Sequence, residues 1–471
     1  MLRAVIRVEW LSTLRERSVW IVLGAFVPLV AYAAFNAGAF VRTEAAAIAT
    51  AEREDAGRIA KLRRRARAIE SGAEPRSATD PRDPLLVGRD LAPRAASWPL
   101  GPLAVVSIGQ RDVLPSTVLL TVRARVGDGA SDEPSSPTAR AAGAFDLAFV
   151  FVVLLPLVVI ALSFDLVSGE RERGTLALVL SQPVSLGTFV LGKTLQRALL
   201  VVAVVLALGL VAPIAAGARP FEGDGPLRLA LYGALLVGYV AFWFSAALAV
   251  NAFGRSSAGN ALVLVGTWLA LVVVVPGLAT VGLDALHPPP SRIALVNLAR
   301  EATRTAEARA AAIEGDHGAA DRPGVDRTSR EFVEVQRRLG RDVAPVLRSF
   351  RDQLDAQQRW VDVLRFVSPA IVMSEGLNEI AGSSVRGHQR FAAQLDGHHR
   401  ALQRFFFDRI RRGATLRSTD YDAMPRFAYV EAPTRDLLVR VLSSLAGLLS
   451  LGGVLLAIAW RRLGATEIDV R

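Results

Sequence analysis

The sequence predicts an all-α polytopic membrane protein: six transmembrane helices with a large, mainly helical extracytoplasmic domain and small β content in the first outer segment. Three observations lead there. Apolar residues gather in six runs of about 20, the length that crosses a hydrocarbon core of roughly 30 Å at about 1.5 Å per residue. The composition is 52% hydrophobic and only 21% charged, with mean hydropathy +0.35, where soluble domains carry about 25% charged residues. Finally, arginines cluster beside the apolar runs rather than inside them.

In chain order, residues 1–18 read as an amphipathic helix on the membrane surface. Arg3, Arg7, Arg15 and Arg17 alternate there with Val5, Ile6, Val8, Trp10, Leu11 and Leu14; an ordinary positive flank is the plainer alternative. Span one covers 19–41. The first extracytoplasmic segment, 42–142, opens with a polar helical stretch over 43–70 that continues span one. Turn formers dominate 71–102, residues 104–108 and 117–126 read as strands, and 127–139 is a polar loop. Span two covers 143–164, a cytoplasmic loop 165–193, span three 194–217 and span four 227–253. Span five covers 259–283, with Pro276 as an expected kink. The second extracytoplasmic segment, 284–436, is helical: Phe332, Val335, Leu339, Val343, Val346 and Leu347 recur at helical spacing, residues 353–366 and 391–412 continue the pattern, and breaks fall near Pro369 and Gly413. Span six covers 437–460, and 461–471 form a cytoplasmic tail.

Charge sets the orientation. The short segments assigned inside carry Arg171, Arg173, Lys193, Arg197, Arg255, Arg461 and Arg462, whereas the short outer loop 217–226 sets Arg219 against Glu222 and Asp224. The positive-inside rule then puts both termini in the cytoplasm of a bacterial inner membrane. The net charge of +11 is explained by residues that meet anionic lipid, so nucleic acid is not an expected partner. With no cysteine, disulfides, iron–sulfur clusters and thiolate zinc sites are excluded.

Between spans two and three lies Asp165-Leu-Val-Ser-Gly169-Glu170-Arg171-Glu172-Arg173-Gly174-Thr175-Leu176. Ser181-Gln182-Pro183 follows, and Leu191-Gly192-Lys193 stands directly before span three. The stretch reads as a short amphipathic helix. Leu176, Val179 and Leu180 share one face, Glu170 and Arg173 are spaced to pair, and Pro183 turns the chain back toward the bilayer.

This stretch resembles the cytoplasmic loop of ABC-2 type transporter permeases, where E-x-G-T-L, a proline after a short helix and L-G-K lead into the third span. Six spans and an amphipathic N-terminal helix match the same family. The resemblance implies a transport subunit, not an enzyme, whose loop sits in a groove of a separate cytoplasmic ATPase. Glu170, Arg171, Glu172, Arg173, Gly174, Thr175, Leu176, Pro183 and Lys193 are the residues it assigns to that coupling. It also implies a second permease, identical or related, export as the direction of transport, and no directly bound cofactor, ATP being held by the partner. Pro81-Arg-Asp-Pro84, Pro102-Leu-Ala and Ile108-Gly-Gln-Arg-Asp-Val-Leu-Pro115 resemble the first outer segment of a subgroup related to gliding-motility and copper-enzyme-maturation permeases. Ser368-Pro369-Ala370 and Asn378-Glu-Ile-Ala-Gly382 resemble its second. The alternative reading is a non-transporting membrane scaffold or sensor that binds an envelope partner through its outer segments.

Other candidates carry less. Gly187-Thr-Phe-Val-Leu-Gly192-Lys193-Thr194 matches the phosphate-loop pattern, but the helix that would follow it is a membrane span, and no second ATPase signature appears. The simpler expectation is that Lys193 marks the membrane edge and snorkels to headgroups. His388, His398 and His399 with Asp396 nearby admit a metal reading, against a solvated helix face as the simpler one. Almost no ionisable residue lies inside the spans, which disfavours an ion-coupled carrier. Gly209, Gly233, Gly238 and Gly266 are placed to permit close helix contact. Trp20 and Trp460 fit an aromatic belt, while Trp243 and Trp268 lie deeper.

Overall fold

The computed structural model describes residues 9–10, 13, 15–123, 145–175, 185–254, 256–286, 297, 301, 304–305 and 327–470. The expected surface helix over 1–18 and the polar loop 127–139 therefore lie largely or wholly outside the described residues. Among the described residues five helices are long and apolar enough to cross a membrane: α1 (Arg17–Glu70), α4 (Leu186–Ala215), α5 (Gly225–Phe253), α6 (Ser257–Leu283) and the Thr434–Gly464 part of α10 (Thr434–Val470). The run expected as span two forms the shorter apolar helix α2 (Leu147–Ala161). A one-turn helix, α3 (Ser168–Glu172), follows it.

Helix α5 is the centre of the bundle. Tyr232, Leu235, Tyr239, Phe242, Trp243 and Ala247 are buried on one face, Leu236, Val240, Phe244 and Leu248 are buried beside them, and between the two ends of the helix only a narrow strip at Ala230, Val237 and Ala241 is exposed. Its neighbours are one-sided. In α1, Val19, Leu23, Phe26, Val30, Ala33 and Ala37 face inward at spacings of three and four, while Trp20, Ile21, Val27, Tyr32 and Phe35 are exposed. Exposed apolar faces of this kind need a lipid surround. Lipid gives no hydrophobic drive to helix association, so close backbone approach matters more. A Cβ added at Gly38 would lie 2.7 Å from the Ala216 carbonyl, and one at Gly209 would lie 2.9 Å from Leu236. Gly238 meets Leu445 in the same way, whereas Gly233 has ordinary room and Gly266 faces open space. Two of the four glycines singled out therefore sit at tight contacts.

Two membrane helices share a device. In α2 a π-helical turn, Val150–Leu154, stands directly before Pro156; in α6 the turn Leu269–Val274 stands directly before Pro276. Proline lacks the N–H for the helical ladder and its ring crowds the carbonyl four residues back. A π-turn widens the helix at that point and removes the conflict. The carbonyls of Val153 and Leu271 in these two turns are taken up by Trp268 Nε1 and Ser368 Oγ.

Beyond one end of the bundle, the polar half of α1 runs on without a break into a head domain. The two long non-membrane segments form a single core there. Ile59, Leu62 and Ala66 of α1, with Trp98 and Leu120, pack against Phe391, Leu395, Phe406, Ile410, Tyr421 and Met424. The C-terminal segment contributes α7 (Arg327–Leu364), α8 (Pro369–Ala381) and α9 (Val385–Arg412). Strands β1 (Arg94–Ser97) and β2 (Thr117–Leu120) pair antiparallel, Arg94 opposite Leu120 and Ser97 opposite Thr117. The expected strand over 104–108 is not one. Ala104–Val106 is a 3-10 turn, buried on all sides, and a β-branched run wedged into a core has no edge on which to pair. In the expected 117–126 strand, the part from residue 124 onward lies outside the described residues.

Helix α8 enters the bundle from the short turn that follows α7. There the Ser368 hydroxyl caps α8, accepting from the Ala370 and Ile371 amides, and donates to the Leu271 carbonyl in the middle of α6. Phe366 lies against Gly447 of α10, and Ala370, Val372, Met373 and Leu377 join the core of the membrane helices. The last turn of α8 returns to the head-domain end. There Arg228, at the start of α5, donates to the carbonyls of Glu379 and Ile380 at 3.3 and 2.9 Å. A cation is favoured at a helix C-terminus.

Candidate functional site

The loop after α2 is held at the opposite end of the bundle by a polar network drawn from four elements. Gly174, in the left-handed region at φ +72°, stops α3 after one turn. That turn aims Glu170 inward. Its Oε1 accepts from Lys193 Nζ of α4 at 2.7 Å and from Arg173 Nη2 at 3.0 Å, and Thr175 Oγ1 donates to Oε2. The Lys193 side chain is 3% exposed. Burial pushes the Glu170 carboxyl up, but the hydrogen bonds from Lys193 and Thr175 and the nearby positive charges outweigh it, and the group is held at about 2.

Glu172 faces another partner. Its carboxylate accepts the Ser257 amide at 2.7 Å and the Ser257 hydroxyl at 2.8 Å, and these bonds lower its pKa. Ser257 opens α6, so Glu172 supplies an anion to a helix N-terminus, where free N–H groups and the dipole favour one. Arg171, Arg173 and Gly174 are exposed and give the loop its outward face. Leu176 and Pro183, also expected in this site, lie outside the described residues, as does the Val179–Leu180 face.

Several residues that complete the network carry no motif. Arg197 of α4 is buried; its Nη1 donates to Asp165 Oδ1 at 2.9 Å and to the Leu162 carbonyl at 2.7 Å, fastening the end of α2. Thr13 donates to Gln196 at 3.1 Å, and Glu16 lies 3.9 Å from Arg197, which adds the chain before α1. Asn251, in the last turn of α5, donates to the Ser163 carbonyl at 2.8 Å. Asn260 reaches the Phe164 carbonyl, Ser168 Oγ and Asn251 Oδ1, each at 3.2 Å. The available signal was positional: a polar residue at the end of an apolar span, next to a loop rich in carbonyls that lack helical partners.

The phosphate-loop lookalike is resolved by geometry. Ser185 caps α4 by accepting from the Thr188 amide, so Gly187 and Gly192 are inside a regular helix. The Gly192 N–H is inside the helical ladder, Gly187 is in the first turn, and the two sit five residues apart along a continuous helix rather than in a loop that could wrap a phosphate. The expectation that Lys193 snorkels to headgroups is also corrected: it turns inward to Glu170, because a fixed carboxylate within the bundle is a closer counterion than lipid. The histidines neither converge nor form a solvated face. His399 is buried with Nε2 2.8 Å from the Arg123 carbonyl, His388 packs on Trp98 and His398 on Phe427. Among the described residues no group of three or more acidic or histidine side chains is placed to hold a metal ion.

The family model described as ABC-2 family transporter protein matches residues 3–459, nearly the whole chain. The chain belongs to that family. ABC-2 proteins are membrane permease subunits of ABC transporters; catalysis is not theirs, and the family works with a cytoplasmic ATPase partner. The chain is also similar to two proteins named "Probable ABC transporter permease protein NosY". To the one from Pseudomonas aeruginosa it is 34% identical over 128 residues, 26% of this chain and 45% of that protein. To the one from Stutzerimonas stutzeri it is 32% identical over 134 residues, 27% of this chain and 48% of that protein. The chain thus spans about half the length of the curated relatives it matches. In this chain the network around Glu170 lies at one end of the apolar helices.

Proposed function

We propose that this ABC-2 permease couples ATP hydrolysis on a separate cytoplasmic ATPase to export of a cargo across a bacterial inner membrane. In this reading α2 is the second of six spans, both termini are cytoplasmic, and the head domain is extracytoplasmic. A second permease, identical or related, completes the pathway, and the chain binds no cofactor itself, ATP being held by the partner. The loop around Glu170 faces the ATPase. Arg171 and Arg173 meet the partner, Gly174 and Thr175 set the turn, and Glu170, Glu172 and Lys193 carry its movement into the bundle; Leu176 and Pro183 would extend the same surface. The subgroup related to gliding-motility and copper-enzyme-maturation permeases remains part of the proposal, because two long outer segments sharing one head domain suit it.

One observation carries the reading. Charged residues on the exposed side of a one-turn helix are joined through buried ion pairs to α4 and through Glu172 to α6. A docked partner that shifts this turn therefore shifts membrane helices with it, which is what a ligand-biased two-state element requires. The test is co-purification from native membranes in mild detergent. An ATPase in stoichiometric amount, lost in an Arg171→Glu, Arg173→Glu variant that still inserts, is the expected outcome. If no ATPase accompanies the wild-type chain and an envelope protein does, the scaffold reading replaces this one.

A further inference from the structure

We propose that the head domain contains a binding cleft for a soluble, multiply charged oxyanion, a ligand bearing phosphate or clustered carboxylate groups. The cleft, of about 500 Å³, lies between the polar half of α1, β1 and the turn after α9. That volume falls within the range of small-molecule sites. Arg63, Arg64, Arg67, Arg94 and Arg426 line it against Asp55 and Asp422, an excess of three positive charges.

The pairing inside the cleft is incomplete. Arg63 is held by Asp422 at 2.8 Å, and Arg94 by Asp55 at 3.2 Å. Arg64, Arg67 and Arg426 are exposed and form no ion pair among the described residues. Other head-domain arginines are paired locally, as in Arg65–Glu74, Arg82–Asp80 and Arg409–Asp420, or stand singly on the exposed surface, as Arg76, Arg400 and Arg404 do; the cleft differs in gathering its unpaired arginines around a buried one. At the floor of the cleft, the Arg94 side chain is 7% exposed, and its Nε and Nη1 are buried with no hydrogen-bond partner. A buried guanidinium with two idle donors keeps its field, and low-dielectric walls focus that field into the opening. Planar guanidinium forks from three segments match the bidentate geometry of phosphate and carboxylate oxygens.

Distance selects the source of the anion. With the end of span one near Phe40, as the run of apolar residues in the sequence assigns it, α1 continues without interruption. At about 1.5 Å per residue, Asp55 stands about 22 Å and Arg67 about 40 Å farther along the helix. The headgroup layer is only about 5–8 Å thick on each side of the core. A lipid resident in the bilayer cannot present its headgroup there; a soluble ligand can.

Pyrophosphate titrated calorimetrically into the full-length protein in phosphatidylcholine nanodiscs tests this. We expect saturable binding that weakens as salt rises. In the Arg67→Gln, Arg426→Gln variant, which changes only exposed side chains, the Kd should rise at least tenfold. The Arg67→Lys, Arg426→Lys variant should fall between, because charge is kept and the fork is lost. Asp422→Asn, which removes a negative charge and no arginine, should lower the Kd several-fold. Absence of wild-type binding, or equal binding by the wild-type and glutamine forms, overturns the assignment. So does a wild-type-to-variant difference confined to discs containing phosphatidylglycerol, which would give the cleft to headgroups.

Discussion

Replacing Glu170 by Gln removes one charge from a pair whose other member cannot reach water. Glutamine keeps the size and an acceptor oxygen, so the perturbation is electrostatic. Lys193, 3% exposed, is left facing a neutral amide, with the Glu9 carboxyl as its remaining acidic neighbour. The displacement of the Glu170 carboxyl from 4.5 to about 2 corresponds to about 3 kcal/mol at full weight. Glu170 itself is 14% exposed and shares its carboxylate with the well-solvated Arg173, so screening brings the expected loss to about 2 kcal/mol. The folded value lies below the unfolded one. This stability is therefore complete above about pH 4.5 and is lost as pH falls toward about 2, and the variant should lose that acid-side decline. The assay is reversible unfolding in detergent for the wild type, Glu170→Gln, Lys193→Met and the double variant. Removing both charges should cost less than the sum of the single changes, by at least about 1 kcal/mol. Strict additivity, or an unchanged acid limb in Glu170→Gln, would refute the claim that this pair fastens the loop.

Other outcomes follow from the packing. Arg197→Gln should destabilise by about 3 kcal/mol, because Asp165 and the Leu162 carbonyl both lose their buried donor; unfolding and membrane yield report it. Gly38→Ala should cost about 1–3 kcal/mol, since its methyl would meet a backbone oxygen, while Gly266→Ala, facing open space, should be neutral or slightly stabilising. Ser368→Ala should cost about 1–2 kcal/mol through the lost cap of α8, read by the same unfolding assay. The chain has no cysteine, so single cysteines report depth cleanly. A cysteine at Val372 should resist a membrane-impermeant maleimide, and one at Asp422 should react; fast labelling at Val372 would contradict the burial of α8.

The long apolar helices were legible because their length and uniformity are written locally, residue by residue. The insertion of α8 was not. That helix carries Glu375, Asn378 and Glu379 within thirteen residues, too short and too polar for a span, and only its neighbours make the depth tolerable. The union of the two long segments between the apolar helices was hidden for a different reason: Leu62 and Tyr421 touch one core from more than three hundred positions apart, and neither periodicity names its partner. Residues 104–108 misled because β-branching signals a fit to pleated surfaces, and here it served a fully enclosed turn. In the candidate site, Glu170 and Arg173 could be paired from spacing alone. The inward turn of Lys193 and the roles of Asn251 and Asn260 required knowing which helices adjoin.

Helix α1 joins the two ends of the molecule as one piece, 54 residues or about 80 Å long. Its one weak point is Pro28, which removes a rung of the ladder inside the apolar part. Mechanically the helix is a lever with its pivot in the membrane. A bend of about 5° at Pro28 carries Glu70, roughly 63 Å away, through about 5 Å. Because Glu16 lies at the short arm and the arginine-lined cleft at the long one, a small displacement beside the ion pairs becomes a large swing of the head.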